Sequence, residues 1–186
     1  MTKIFAHRGA SAYAPENTME SFELAAKQGA DGIELDVHVT KDGEVVVTHD
    51  EKIDRVSNGS GFIKDMTLRE LKRLSFHNHM ESYVGAGIPT LREVLEYVST
   101  TNMDVNIELK TGIYWYPQIE EKTAFIVQET GMHDRVIYSS FNHHSIAKIK
   151  EIDSTAETAW LFSDVILNVE QYAKANGVER SEECRV

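Results

Sequence analysis

Two strand-like segments carry carboxylates at positions where a buried strand would be apolar. In GIELDV, residues 32–37, Glu34 and Asp36 share one strand face because alternate residues point the same way. In NIELK, residues 106–110, Glu108 interrupts an apolar run in the same manner. A parallel strand covered on both faces is normally continuously apolar, and a buried unpaired carboxylate is very costly. These carboxylates indicate either a bound cation or edge strands with one face in water.

The residue types favour a hard divalent cation. The carboxylate oxygens of Glu34, Asp36 and Glu108 suit Ca²⁺ or Mg²⁺. Zinc is less compatible, because the sequence has no HExxH motif and only one cysteine, Cys184. We therefore expect Ca²⁺ or Mg²⁺ as the cofactor.

Basic side chains stand at the ends of the same kind of segment. They are His7, Arg8, His49 and Lys110. A cation together with Arg8 would neutralise phosphate oxygens, and histidines transfer protons near neutral pH. The combination favours an anionic substrate with a proton-transfer step, and a phosphate ester fits best.

Strand and helix signals alternate along the chain, which predicts an α/β fold with parallel strands. The strand candidates are Ile4–Ala6, Gly32–Val37, Val45–Thr48, Asp104–Leu109, Arg135–Ser140 and Thr158–Phe162. Capping boxes that predict helix starts are Asn17 with Glu20, Thr67 with Glu70, and Thr90 with Glu93. The predicted elements therefore place the candidate metal-binding and basic residues at or near the ends of strands.

The segment between Asp36 and His49 is too short for a helix. Asp42-Gly43 is a hairpin signal that would pair residue 38 with 47 and residue 36 with 49. An extended crossover without a helix would also return the chain to the same end. Either route brings His49 near Asp36.

Composition and charge exclude several classes of protein. The 186 residues are 41% hydrophobic and 26% charged, as in one globular domain. The net charge of −11 argues against nucleic acid or an anionic membrane as a partner. No apolar stretch approaches the ~18 residues of a membrane span. A single cysteine and the lack of a signal-peptide pattern predict a cytoplasmic protein.

Five segments match, in order and spacing, the motifs of a known family. They are AHRGASAYAPENT, GIELDVHVTKDGEVVVTHD, IPTL, NIELK and YSSF. From residue 3 to 178 the chain resembles the glycerophosphodiester phosphodiesterases. This resemblance implies a TIM-type (β/α) barrel with its site at the carboxyl ends of the strands. It also implies hydrolysis of a small-molecule glycerophosphodiester to glycerol 3-phosphate and an alcohol.

The resemblance assigns roles by position. Glu34, Asp36 and Glu108 would bind the metal, His7 and His49 would be the acid–base pair, and Arg8 and Lys110 would bind the phosphate.

Five further polar residues are interpreted individually. Glu16 is expected to orient Arg8 or His7. Asn17 is interpreted as the cap of the first helix. His38 is expected to be structural, and His143 and His144 to be exposed.

Fewer strands are indicated than a complete barrel needs. Eight strands typically take about 250 residues, whereas this sequence predicts six. We expect one domain over residues 1–186, an incomplete barrel shortened at its C-terminus, with residues 51–88 as an excursion over the active-site end. An open barrel leaves two edge strands, through which copies of the chain could associate.

Other functions remain compatible with the same residues. A catalytically weak fragment could serve as a metal-binding or partner-binding module. Another phosphodiesterase, or a lyase on the same type of barrel, would use similar groups. An assay for glycerol 3-phosphate, with and without divalent cations, would discriminate among them.

Overall fold

The computed structural model describes residues 2–164, 166–176, 178 and 180–183. Its strands are β1 (Phe5–His7), β2 (Gly32–Val39), β3 (Val45–Val47), β4 (Asp104–Leu109), β5 (Val136–Ser140), β6 (Glu157–Phe162) and β7 (Arg180–Glu183). Its α-helices are α1 (Met19–Lys27), α2 (Leu68–Leu71), α3 (Leu91–Ser99), α4 (Ile119–Glu129), α5 (His143–Ile152) and α6 (Val169–Ala175). Short 3₁₀ helices lie at Ile63–Asp65, Glu81–Tyr83 and His133–Arg135.

The sheet follows the order of a TIM-type barrel. Strands β1, β2, β4, β5, β6 and β7 lie side by side in that order and pair in parallel. Helices connect the successive parallel strands from β4 onward and also join β1 to β2. A closed barrel has eight such strands. The described residues supply six, which confirms an incomplete TIM-type barrel. Association through the end strands β1 and β7 stays a prediction.

The six parallel strands are not the six that the sequence pattern predicts. The predicted strand Val45–Thr48 corresponds to β3 (Val45–Val47), which runs antiparallel to β2 and lies outside the barrel order. The sixth parallel strand is β7, which pairs with β6. The pattern misses β7 because its sequence, RSEE, lacks the apolar residues that signal a strand. Cys184 lies outside the described residues.

The hairpin forms as expected, but its register differs by one residue. His38 pairs with Val46 rather than with residue 47. The turn is closed by the amide of Thr40, which donates to the carbonyl of Glu44 at 2.9 Å. His49 still arrives beside Asp36, because the Thr48 amide donates to the Asp36 carbonyl at 3.0 Å.

Two of the three predicted capping boxes are confirmed, those that begin at Thr67 and Thr90. The third is wrong. Helix α1 is capped by Thr18, whose hydroxyl accepts from the Ser21 amide, while the Ser21 side chain accepts from the Thr18 amide. The Asn17 side chain is therefore not needed as the helix cap and can form a hydrogen bond with another element.

The hydrophobic residues form two cores. The main core lies between the sheet and helices α1, α3, α4 and α5 and contains one face of β2. Residues 51–88 contribute to a second core, whose buried members are Val46, Ile53, Val56, Ile63, Leu71, Phe76 and Ile88. The segment is thus held in a fixed arrangement by its own apolar contacts. Among the described residues, no helix has the length and apolarity to cross a membrane.

Candidate active site

The polar faces of β1, β2 and β4 lie on the same side of the sheet. His7 is paired in register with Glu34, and Asp36 with Glu108. The opposite face of β2, which includes Leu35, is buried in the main core. Because strand residues alternate between faces, the apolar packing of one face directs these polar side chains together.

Glu34, Asp36 and Glu108 converge as the sequence predicts. One carboxylate oxygen of each lies within 4.8 Å of the others. Asp36 is fully buried and Glu108 is nearly so. The Oδ1 atom of Asp36 is buried and accepts no hydrogen bond among the described residues, with the nearest cation, Lys110 Nζ, at 3.6 Å.

Burial and mutual repulsion shift the protonation of this cluster. Burial, followed by the charges of Asp36 and Glu108, raises the pKa of Glu34 well above its ordinary value. Burial and Asp36 raise the pKa of Glu108 to about 7, although Lys110 opposes the shift. Three converging hard oxygen donors, with one buried oxygen lacking a hydrogen bond, fit a divalent cation such as Ca²⁺ or Mg²⁺.

We expect cation binding at this cluster to weaken as the pH falls below about 7. A carboxylate must lose its proton to bind a metal, and the pKa of Glu108 is about 7. A site with this pKa should bind Ca²⁺ roughly tenfold more weakly at pH 6 than at pH 8. Isothermal titration calorimetry at the two pH values measures this difference. The Glu108→Gln variant should show a smaller pH dependence, and equal wild-type affinities at both pH values would contradict the expectation.

Asp36 is surrounded by three donors, two from the loop after β1 and one that follows β4. The Nδ2 of Asn17 donates to Oδ2 at 2.8 Å, and Arg8 Nε lies 3.6 Å from the same oxygen. Lys110 Nζ approaches Oδ1. Asn17 is therefore a site residue that the sequence reading missed, because its position before a helix is also typical of a cap.

The loop after β1 adopts an uncommon backbone conformation. Arg8 and Asn17 both have a φ of 57°, in the left-handed region that most side chains avoid. In this conformation the Arg8 amide donates to Glu34 Oε2 at 3.0 Å, and the Asn17 amide donates to the Arg8 carbonyl at 3.0 Å. Gly9 packs so closely that a Cβ would lie 2.3 Å from Ser21 Oγ. The loop thereby fixes both functional side chains against β2.

His49 is held at three points. Its Nδ1 donates to Asp50 Oδ1 at 2.6 Å, its Nε2 lies 3.3 Å from Lys110 Nζ, and its carbonyl accepts from His38 Nε2 at 3.1 Å. Burial raises the pKa of Asp50, but hydrogen bonds from Arg55 and His49 outweigh it and lower that pKa to about 2. Asp50 is therefore a carboxylate, and its acceptance from Nδ1 leaves the Nε2 lone pair of His49 toward the site.

Lys110 and Arg8, the predicted phosphate-binding residues, each pair with a carboxylate. Lys110 Nζ donates to Glu108 Oε1 at 2.8 Å, and Arg8 Nη1 donates to Glu16 Oε1 at 3.1 Å. Burial lowers the pKa of Lys110, but the charges of Glu108 and Asp36 outweigh it and raise that pKa. Lys110 is thus cationic beside the carboxylate cluster, and Glu16 orients Arg8 as expected.

His7 lies at the solvent side of the cluster. Its side chain is 64% exposed, and its Nε2 is 3.8 Å from Glu34 Oε2. Burial and the adjacent Arg8 charge lower its pKa. Because most of its side chain is exposed, His7 is open to a ligand.

His38 is structural, as expected. It is fully buried, and its Nδ1 lies 2.9 Å from the hydroxyl of Tyr116. The expectation that His143 is exposed is wrong. Its ring stacks on Trp160 with the centroids 4.5 Å apart, and its Nε2 lies 3.2 Å from the Leu161 carbonyl.

Removing the Tyr116 hydroxyl should destabilise the protein. Since His38 Nε2 donates to the His49 carbonyl, its Nδ1 accepts from Tyr116, and Tyr116→Phe would leave that buried nitrogen without a donor. The expected cost is about 1–3 kcal/mol in the free energy of unfolding, measured by denaturant titration. Tyr114→Phe is the matched control, and equal stability of the two variants would contradict this role.

The fold and the site together define a class of protein. These are TIM-type barrel proteins with a carboxylate cluster and histidines toward the carboxyl ends of the parallel strands. The chain belongs to the Glycerophosphoryl diester phosphodiesterase family, whose sequence profile matches residues 7–182.

Similarity to individual relatives agrees with this membership. The chain is 50% identical over 152 residues to a glycerophosphodiester phosphodiesterase of Caldanaerobacter subterraneus subsp. tengcongensis, covering 81% of this chain and 63% of the relative. It is 48% identical over 176 residues to one from Bacillus altitudinis, covering 94% and 72%. The chain thus spans 63–72% of the length of these two relatives.

A solved structure shares the same fold. An Oleispira antarctica phosphodiesterase, in complex with the product sn-glycerol-3-phosphate, superposes with a TM-score of 0.89 at 29% sequence identity. The match covers 98% of this chain and 75% of that chain.

Proposed function

We propose that this protein hydrolyses glycerophosphodiesters to glycerol 3-phosphate and an alcohol, using a divalent cation and two histidines. The observation that carries the proposal is the convergence of Glu34, Asp36 and Glu108, within 4.8 Å of one another, in a chain of this family. The product complex of the Oleispira antarctica relative supports glycerol 3-phosphate as the product here.

Glu34, Asp36 and Glu108 would hold Ca²⁺ or Mg²⁺. When bound, the cation would neutralise the negative charge that develops on the phosphoryl oxygens. The raised pKa values of Glu34 and Glu108 support this role, because burial and like charge disfavour three carboxylates in one place without a compensating charge.

Arg8 and Lys110 would bind the non-bridging oxygens of the phosphodiester. Each is anchored by a carboxylate, Arg8 by Glu16 and Lys110 by Glu108, at 3.1 and 2.8 Å. Anchored cations lose little further freedom when they bind a ligand, so the phosphate-binding groups are preorganised.

His7 and His49 would carry out the two proton transfers of the reaction. One withdraws a proton from the attacking water as the water oxygen bonds to phosphorus. The other protonates the alcohol oxygen as its bond to phosphorus breaks. The Asp50 contact supports His49, because it holds the Nδ1–H, so that proton transfer would take place at Nε2, beside Lys110 Nζ.

The direct test is incubation of the purified chain with glycerophosphocholine, with either Ca²⁺, Mg²⁺ or a chelator. The proposal expects cation-dependent release of glycerol 3-phosphate and choline, followed by ³¹P NMR. Cation binding without turnover would instead favour a binding module. A cyclic phosphate as the final product would favour a lyase on the same type of barrel.

A further inference from the structure

Arg55 joins two sides of the proposed active site through four hydrogen bonds. Its Nη1 and Nη2 each donate to a carboxylate oxygen of Glu16 at 2.8 Å. Its Nε donates to Asp50 Oδ2 at 2.7 Å, and its Nη2 also reaches Asp50 Oδ1 at 3.2 Å. All three guanidinium nitrogens are therefore engaged by two carboxylates.

Each of these carboxylates contacts a proposed reaction residue. Glu16 Oε1 accepts from Arg8 Nη1 at 3.1 Å, and Asp50 Oδ1 accepts from His49 Nδ1 at 2.6 Å. Among the described residues, Arg55 forms no hydrogen bond with Arg8 or His49. Its influence on either must pass through Glu16 or Asp50.

The segment that carries Arg55 is fixed by the second core. Ile53 and Val56, two residues before and one after Arg55, are both buried. The Ser57 and Val56 amides both donate to the Ile53 carbonyl, which closes a tight turn around Arg55. The position of the guanidinium is thus set by packing within residues 51–88.

We propose that Arg55 is a positioning residue for the reaction proposed above, on which this inference rests. It orients Asp50, and through Asp50 fixes the ring and tautomer of His49. It also orients Glu16, and through Glu16 holds the phosphate-binding Arg8. Residues 51–88 thereby contribute to the arrangement of the site through Arg55.

The geometry requires an arginine. A planar guanidinium can bind one carboxylate with its two terminal nitrogens and a second carboxylate along its Nε edge. A lysine ammonium is a single point donor and cannot span both carboxylates in this way. Arg55→Lys should therefore retain only part of the activity that Arg55→Met loses.

The test compares Arg55→Met and Arg55→Lys with the wild-type chain. We expect Arg55→Met to lower kcat by roughly 10–100-fold, the scale seen when an orienting partner is lost, and to raise KM because Arg8 is released. Asp50→Asn should reproduce mainly the loss in kcat, and Glu16→Gln mainly the rise in KM. Arg69→Met, an exposed arginine in the same segment, is the control and should leave both unchanged.

A second readout follows His49 directly and needs no turnover. In ¹⁵N NMR spectra of the histidine rings, wild-type His49 should show the Nδ1–H tautomer and Arg55→Met a mixture of both tautomers. Unchanged His49 signals in Arg55→Met would overturn the proposal, even if activity falls, since Arg55 would then act only through stability. An inactive wild-type chain with this tautomer change would reject the proposed function while supporting the positioning role.

Discussion

Replacement of His49 by alanine is expected to lower the turnover of glycerophosphocholine by roughly 10²–10⁴-fold, the usual contribution of a general acid or base. The structure gives a physical reason for this size of effect. Asp50 and Lys110 hold the two ring nitrogens, so His49 is oriented before a substrate binds. Alanine removes the proton-transferring imidazole together with its contacts to Asp50 and Lys110.

His7→Ala should cause a loss of the same order, because the reaction needs one proton donor and one acceptor. The measurement is kcat from initial rates of glycerol 3-phosphate release. His77→Ala is the control, since His77 bonds only Ser75 among the side chains described, and it should retain near wild-type turnover. Equal losses in all three variants would mean that the loss arises from damage to the fold.

The Asp36→Asn variant is expected to lose cation binding and, with it, nearly all activity. Asp36 is fully buried at the centre of the carboxylate cluster, and one of its oxygens lacks a hydrogen bond. Asparagine keeps the size of the side chain but removes the charge that the cation would neutralise. The measurement is the shift in thermal unfolding midpoint that Ca²⁺ causes.

A ligand at 100 times its dissociation constant stabilises the folded state by about 2.7 kcal/mol. The wild-type midpoint should therefore rise with Ca²⁺, whereas the Asp36→Asn midpoint should not. Asp134→Asn, whose side chain is 97% exposed, is the matched control and should shift as the wild type does. A normal Ca²⁺ shift in Asp36→Asn would place the cation elsewhere.

The sequence predicts the carboxylate cluster because the underlying rule is local. Alternation along a strand decides which residues share a face, and burial of the apolar face then brings Glu34, Asp36 and Glu108 together. The parallel fold and the hairpin near His49 follow from similarly local signals. These parts of the site could be predicted before any contact was known.

Other features depend on choices between neighbouring residues of similar chemistry. Thr18 rather than Asn17 caps α1, since the Thr18 hydroxyl and Ser21 complete a reciprocal pair. The hairpin register shifts by one because the Thr40 hydroxyl donates to Asp42 and accepts from the Glu44 amide, which sets the turn. A propensity rule cannot decide between adjacent positions that both satisfy it.

The Arg55 network could not be predicted from local patterns. Arg55 lies 39 residues from Glu16 in the sequence, and their contact depends on how residues 51–88 pack. A charged residue inside a loop carries no periodic signal. The partners of Arg55 can be identified only once the packing of the second core is known.

The left-handed backbone at Asn17 restricts which residues evolution can accept there. Glycine would adopt the conformation easily but would lose the amide that donates to Asp36. Aspartate also tolerates this region, yet it would add a fourth negative charge to the cluster. Most other residues would be strained and would lack the donor. Asparagine is thus the residue type that meets both the backbone and the electrostatic demand, so this position should vary far less among active sequences than a helix cap would.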